Sequence, residues 1–90
     1  MLENVKRILI KSKEENCDLS IAHAKVRNDD RLAGFTDHSE LDKAYKIISD
    51  YEAVVTKMWR EGNLEALAEL CSLVKEGNTL AINKLIREWQ

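Results

Sequence analysis

The residues most suggestive of catalysis are Asp18, Ser20 and His23, since a carboxylate, a hydroxyl and an imidazole can together form an activated nucleophile. A capped helix start explains them more simply, because Asp is a favoured N-cap and His23 then faces solvent on a short helix. The sequence has only three glycines and contains neither a nucleophile elbow nor a phosphate-binding glycine loop. We therefore expect no enzyme; the alternative requires a pocket that gathers His23, Asp29 and Asp37.

A second candidate is a calcium loop over residues 29–40. Four residues stand at the first, sixth, ninth and twelfth positions of the EF-hand pattern, namely Asp29, Gly34, Asp37 and Glu40. The third and fifth positions hold Arg31 and Ala33, which offer no side-chain oxygen. We interpret the match as coincidence combined with helix capping.

Zinc ligands are present as residue types but not as a pattern. The candidates follow no CxxC or HxxxH spacing and are Cys17, Cys71, His23 and His38. Cys71 lies on an apolar stripe, where cysteine acts as a small hydrophobic residue. Two cysteines in unrelated contexts favour reduced thiols in a cytoplasmic protein. We expect no metal and no cofactor.

Basic side chains cluster near the N-terminus and form a possible contact for an anionic partner: Lys6, Arg7, Lys11 and Lys13. Nucleic acid, an acidic protein or membrane headgroups would suit them, although a solvated outer face is the simpler interpretation. Asp and Glu outnumber Lys and Arg by 16 to 14, which argues against a general nucleic-acid binder. A helix-turn-helix at the C-terminal end is weaker still, because its last helix carries only Lys84 and Arg87 as basic residues.

Composition limits the elements that could position these residues. The chain has 90 residues, no proline and 44% hydrophobic residues, which predicts one globular domain over residues 1–90. The longest unbroken apolar runs contain only three residues, as in Ile8–Ile10, so no transmembrane helix is expected. The first seven residues lack the apolar region of a secretory signal. These features favour a cytoplasmic protein.

The hydrophobic spacing predicts an all-α fold, a small bundle of about five helices. Helices are expected over residues 2–15, closed by Asn16, and over 19–27, capped by Asp18. Residues 28–37 are expected to form a loop, with Leu32 and Phe35 tucked under the core. Two short C-terminal helices follow tight Gly-Asn turns at 62–63 and 77–78, where glycine ends one helix and asparagine caps the next.

One long central helix is expected over about residues 38–61, after a capping box formed by Asp37 and Glu40. Its apolar residues recur at heptad spacing, which is typical of a helix that packs against a partner. At 1.5 Å per residue this helix is about 36 Å long, whereas a compact chain of this size is only about 31 Å across. We therefore predict a partner or self-association surface along it, formed by Leu41, Tyr45, Ile48, Tyr51, Val55, Met58 and Trp59.

No motif is specific enough to name a family. In size and general composition the chain is similar to small accessory or regulatory proteins of phages and plasmids, a resemblance that implies masking or bridging of a larger partner, such as inhibition of a host enzyme or control of lysis timing. We predict a non-enzymatic regulatory or adaptor protein that binds another protein, itself as a homo-oligomer, or both. The alternative is a nucleic-acid-binding regulator that uses the basic N-terminal helix; peripheral membrane contact stays open.

Overall fold

The computed structural model describes all of residues 1–90 as an all-α protein. It contains six helices and no strand: α1 (Leu2–Glu15), α2 (Leu19–Leu32), α3 (Ser39–Asp50), α4 (Glu52–Arg60), α5 (Leu64–Glu76) and α6 (Thr79–Glu88). The all-α prediction is confirmed, with six helices where about five were expected. None of the helices has both the length and the apolar character needed to span a bilayer.

The chain divides into two compact units, residues 1–46 and 47–90. The first unit contains α1, α2 and the beginning of α3; the second contains the end of α3 and the three remaining helices. The single domain over residues 1–90 stays a prediction.

In the first unit α1 packs against α2. The buried side chains of these helices repeat at helical spacing and are Val5, Ile8, Leu9, Ala22 and Val26. Asn16 ends α1 in the left-handed conformation (φ 49°, ψ 54°), as predicted. Asp18 precedes α2 at the expected N-cap position, but its side chain makes no capping hydrogen bond.

Helix α2 continues five residues beyond the predicted end at residue 27. Its polar segment is bound to α1, because Lys11 Nζ lies 3.0 Å from Asp29 Oδ2 and Arg7 Nη1 donates to Asp30 Oδ2 at 3.2 Å. The prediction of a loop beginning at residue 28 is therefore wrong, and the ion pairs hold this part of the helix against α1.

The capping box predicted from Asp37 and Glu40 is not formed, since the Glu40 side chain pairs with Lys43 and not with the backbone of residue 37. The helix begins at Ser39, and the Asp37 carboxylate accepts a hydrogen bond from the Ser39 backbone N–H at 2.9 Å. That hydrogen bond lowers the pKa of Asp37. The carbonyl of His38 accepts the first helical bond, from Asp42 N–H.

The long helix predicted over 38–61 is wrong, because the helix is interrupted at Tyr51. Tyr51 has non-helical torsions (φ −127°, ψ 37°). Its N–H still bonds to the Ile47 carbonyl at 3.0 Å and its carbonyl accepts from Val55 N–H at 2.8 Å, so the interruption breaks few hydrogen bonds. The separate helices α3 and α4 are about 18 and 14 Å long. The helix-length argument for an external partner therefore no longer applies.

The two Gly-Asn turns of the second unit are confirmed. Gly62 and Gly77 have positive φ angles of 70° and 73°, and each ends a helix. Asn63 then caps α5 and Asn78 caps α6, since their side-chain oxygens accept from backbone N–H groups at 3.0 and 3.2 Å. Helix α5 packs against both α4 and α6. The fully buried side chains around α5 include Met58, Leu67 and Leu70.

Candidate functional site: a histidine–arginine cleft and an exposed loop

The heptad residues predicted as a partner surface lie mostly in the core. Leu41 is 3% exposed, and three others are completely covered: Ile48, Val55 and Met58. The aromatic members of the set are partly exposed: Tyr45, Tyr51 and Trp59. The apolar members are covered by other residues of the same chain, whereas the aromatic members keep part of their surface accessible. A self-association surface built on this set stays a prediction that the burial of its members does not support.

The basic residues predicted to contact an anionic partner are largely paired within the first unit. Lys6 binds Glu3 at 3.2 Å, and Lys11 lies between Glu15 and Asp29 at 3.0 Å from each. Arg7 binds Asp30, and this hydrogen bond raises the pKa of Arg7 and lowers that of Asp30. Lys13 alone of the four makes no ion pair.

The pocket required by the enzymatic alternative is not assembled. Asp29 faces Lys11, Asp37 caps the backbone of Ser39, and neither lines a cleft with His23. Residues 29–32 are helical, so the segment compared with a calcium loop is the end of a helix followed by a short connection. His38 is the residue that the fold brings close to His23 instead.

His23 is held in place by α3. Its Nε2 atom lies 2.9 Å from Asp42 Oδ1. Its ring stacks on Tyr45, with the ring centres 4.3 Å apart and the planes only 3° from parallel. Asp42 and Tyr45 are three residues apart and therefore share one face of α3. The imidazole thus has a defined orientation, and its side chain is only 17% exposed.

An open cleft of about 360 Å³ lies beside this histidine. It is lined by His23, Ala24, Arg27, Asn28, Arg31 and His38. The first five residues lie at positions i, i+1, i+4, i+5 and i+8 of α2, so they occupy one face of that helix. His38 closes the cleft from the residue immediately before α3. The lining contains two guanidinium groups and two imidazoles but no carboxylate.

The side chains that line the cleft carry more hydrogen-bond donors than acceptors. Arg31 Nη2 donates to Asn28 Oδ1 at 2.8 Å, whereas Arg27 has neither an ion pair nor a side-chain hydrogen bond. His38 Nδ1 is buried and has no partner within the chain, which is uncommon for a buried polar atom. Asp30, whose pKa is lowered mainly by Arg7 and further by His38, is already bound to Arg7.

The connection between α2 and α3 carries the second unusual feature. We call residues 32–35 the apolar loop, because Leu32 is 72% exposed and Phe35 63% exposed. The prediction that these two side chains tuck under the core is wrong. The loop is nevertheless ordered by the backbone: Phe35 N–H bonds to the Asp30 carbonyl at 2.9 Å, and Gly34 N–H bonds to the Arg31 carbonyl at 3.1 Å. Gly34 adopts φ 95°, which favours glycine at this turn.

The cleft was not found from the sequence, although a signal was present. His23, Arg27 and Arg31 recur every four residues, which places them on one helical face once α2 is known to extend past residue 27. The proximity of His38 depends on the path of the connection and has no local signature. No protein-family model, curated protein or solved structure matches this chain. A proposal about function therefore depends on the fold and on the surface features described above.

Proposed function

We propose that the protein is a non-enzymatic regulatory or adaptor module that binds protein, and that it self-associates through the apolar loop. The observation that carries this proposal is the exposure of Leu32 and Phe35, two large apolar side chains within one turn of ordered backbone. Adjacent exposed apolar groups of this kind mark interaction surfaces more often than isolated ones do. Phenylalanine is also enriched in the buried centres of interfaces.

Charges around the apolar loop suit a second copy of the chain. Arg31 precedes the loop and Asp37 follows it, so the rim carries both signs. In a twofold contact the same patch meets itself, which allows Arg31 of one copy to face Asp37 of the other. A uniformly positive or negative rim would instead repel its own copy.

The apolar area sets the strength of this contact. Full burial of a Leu or Phe side chain contributes about 1.5–3 kcal/mol, so a side chain two-thirds exposed contributes about 1–2 kcal/mol. Four such side chains in a dimer give about 4–8 kcal/mol, which is close to the lower part of the 4–15 kcal/mol association penalty. At best the gain exceeds the penalty by about 4 kcal/mol, so we expect a weak dimer with a Kd of about 1 mM.

Sedimentation equilibrium over a concentration series reaching about 3 mM tests the proposal, because this range extends above the expected Kd. The wild-type mean mass should rise with concentration, and the double variant Leu32→Ser with Phe35→Ser should remain monomeric. Leu80→Ser is the matched control, since Leu80 is 85% exposed but lies in the second unit. It should behave as wild type, and circular dichroism should show equal helicity in all three proteins.

A wild-type chain that is monomeric throughout the range would contradict self-association. Equal loss of dimer in Leu80→Ser would contradict the assignment to the apolar loop. The alternative regulator that binds nucleic acid through α1 is less favoured, because Lys6, Arg7 and Lys11 are already paired with carboxylates.

A further inference from the structure

We infer that the cleft between α2 and His38 is a binding site for a phosphate group, either inorganic phosphate or the phosphate of a small monoester. The site borders the apolar loop and shares Arg31 with its rim, but it lies within one chain and does not require self-association. Its recognition elements are the side chains of Arg27, Asn28, Arg31 and the two histidines that line the cleft.

The first argument is charge. Arg27 and Arg31 are four residues apart on α2, so their side chains are neighbours on one face, and neither is paired with a carboxylate. Like charges at this spacing repel each other on a helix surface. An anion held between the two guanidinium groups would replace that repulsion with attraction. Arginine is also the residue best suited to bind phosphate through paired N–H donors.

The second argument is the hydrogen-bonding character of the lining. Arginine has donors and no acceptor, and the Asn28 side-chain oxygen is already occupied by Arg31, which leaves its amide NH₂ free to donate. Asp42 Oδ1, the carboxylate oxygen that contacts a lining histidine, is occupied by His23 Nε2. A lining dominated by donors is complementary to a ligand that carries only acceptors. The oxygens of a phosphate meet this requirement.

The third argument is size and valence. A cleft of about 360 Å³ lies near the lower end of the 300–1,000 Å³ typical of ligand sites. It has room for a phosphate joined to a small organic group. A single carboxylate matches one guanidinium fork, whereas a phosphate dianion presents three terminal oxygens and two charges, enough for both arginines. We therefore assign the cleft to phosphate rather than to a carboxylate.

The unpartnered nitrogen of His38 agrees with this assignment. His38 Nδ1 is buried without a hydrogen bond, although the residue lines the cleft. A buried polar atom without a hydrogen-bond partner destabilises a fold. His38 Nδ1 is therefore available for a hydrogen bond beside the two arginines. A rotation of the His38 ring on ligand binding would allow this nitrogen to contact the phosphate.

Nuclear magnetic resonance titration of the full chain tests the site, with separate additions of inorganic phosphate, O-phosphoserine, adenosine monophosphate and sodium acetate at constant ionic strength. The phosphate ligands should shift the side-chain resonances of His23, His38, Arg27 and Arg31 in a saturable manner. Acetate should give at least tenfold weaker binding. Equal affinity for inorganic phosphate and the esters identifies the free ion as sufficient, whereas tighter binding of one ester identifies that ester class.

Two variants and a control locate the binding. Arg27→Gln and Arg31→Gln should each weaken phosphate binding about tenfold or more, since each removes charge-assisted hydrogen bonds. Arg87→Gln is the matched control, because Arg87 is an exposed arginine of α6 outside the cleft. Absence of saturable shifts, equal binding of acetate, or equal weakening in Arg87→Gln would each overturn the proposal. Repeating the titration with Leu32→Ser and Phe35→Ser separates it from self-association, as phosphate binding should persist there.

Discussion

Replacement of Ile48 by valine distinguishes a core residue from a residue of a partner surface. The heptad pattern puts Ile48 within the predicted partner surface, whereas the folded chain covers it completely (0% exposed). Removal of one methylene from such a site lowers the free energy of unfolding by about 0.5–1.5 kcal/mol, and Ile48→Ala lowers it by about 2–5 kcal/mol. At 0.05–0.15 kcal/mol per residue, the free energy of unfolding of the whole chain is roughly 5–14 kcal/mol. The valine variant should therefore stay folded, while the alanine variant approaches the limit of stability.

Urea denaturation followed by circular dichroism measures this effect directly. A loss of about 1 kcal/mol should also lower the melting temperature by roughly 4–8 °C for a chain of this size. Leu80→Ala is the control, because Leu80 is 85% exposed and its replacement should change the free energy of unfolding by less than about 0.5 kcal/mol. The burial argument fails if Ile48→Val unfolds as wild type does and instead reduces the mass measured by light scattering.

Three further predictions concern helix ends and acid stability. Gly77→Ala should lower the free energy of unfolding by about 1–2 kcal/mol in urea denaturation, because φ is 73° and the new Cβ meets no atom within 4 Å, which leaves torsional strain as the cause. Asn63→Ala should lower it by about 1 kcal/mol, and Asp18→Ala by clearly less, since only the Asn63 side chain accepts a capping hydrogen bond. Asp30→Asn should destabilise the chain at pH 7 but not near pH 2: Arg7 lowers the pKa of Asp30, so the stabilisation exists above the unfolded-state pKa and disappears as pH falls through the folded-state pKa. Thermal melts at the two pH values measure it, and an equal difference from wild type at both would contradict it.

Helix ends were the part of the fold most accessible from the sequence. Asn16, Gly62 and Gly77 all adopt the left-handed conformation that their residue types favour. Asn63 and Asn78 form the expected caps. These signals are local, because the torsion preference and the cap hydrogen bond involve residues within four positions of each other.

Two element boundaries have no local signal in the sequence. Helix α2 extends to Leu32, and its acidic residues Asp29 and Asp30 are bound by basic residues of α1, more than fifteen positions earlier in the chain. The interruption at Tyr51 has no proline or glycine to announce it, and the backbone hydrogen bonds on either side of it are retained. Helix propensity is a weak preference that such tertiary contacts readily override.

The candidate site was less accessible than the fold. The sequence suggests a site that combines His23 with Asp29 and Asp37. The fold instead brings His23 together with His38 and two arginines. The distribution of charge along the sequence does not indicate the cleft either. It predicts a basic surface on the first helix, whose Arg7 is bound to Asp30 in the structure. Whether a charged side chain is paired or free is decided by the packing of α1 on α2, which periodicity does not report.

The last two turns of α2 and the apolar loop combine two features that do not stabilise the isolated chain. Arg27 and Arg31 are like charges on adjacent turns without a carboxylate between them. Leu32 and Phe35 expose apolar surface to water, although the same chain buries the aliphatic residues of its heptad pattern almost completely. A sequence selected for stability alone would favour a carboxylate near the arginines and polar residues in the loop. Local departures from these rules concentrate at functional sites. An anion would neutralise the two arginines, and a second protein surface would cover Leu32 and Phe35. We therefore propose that function lies at this end of the first unit and not along α3 and α4.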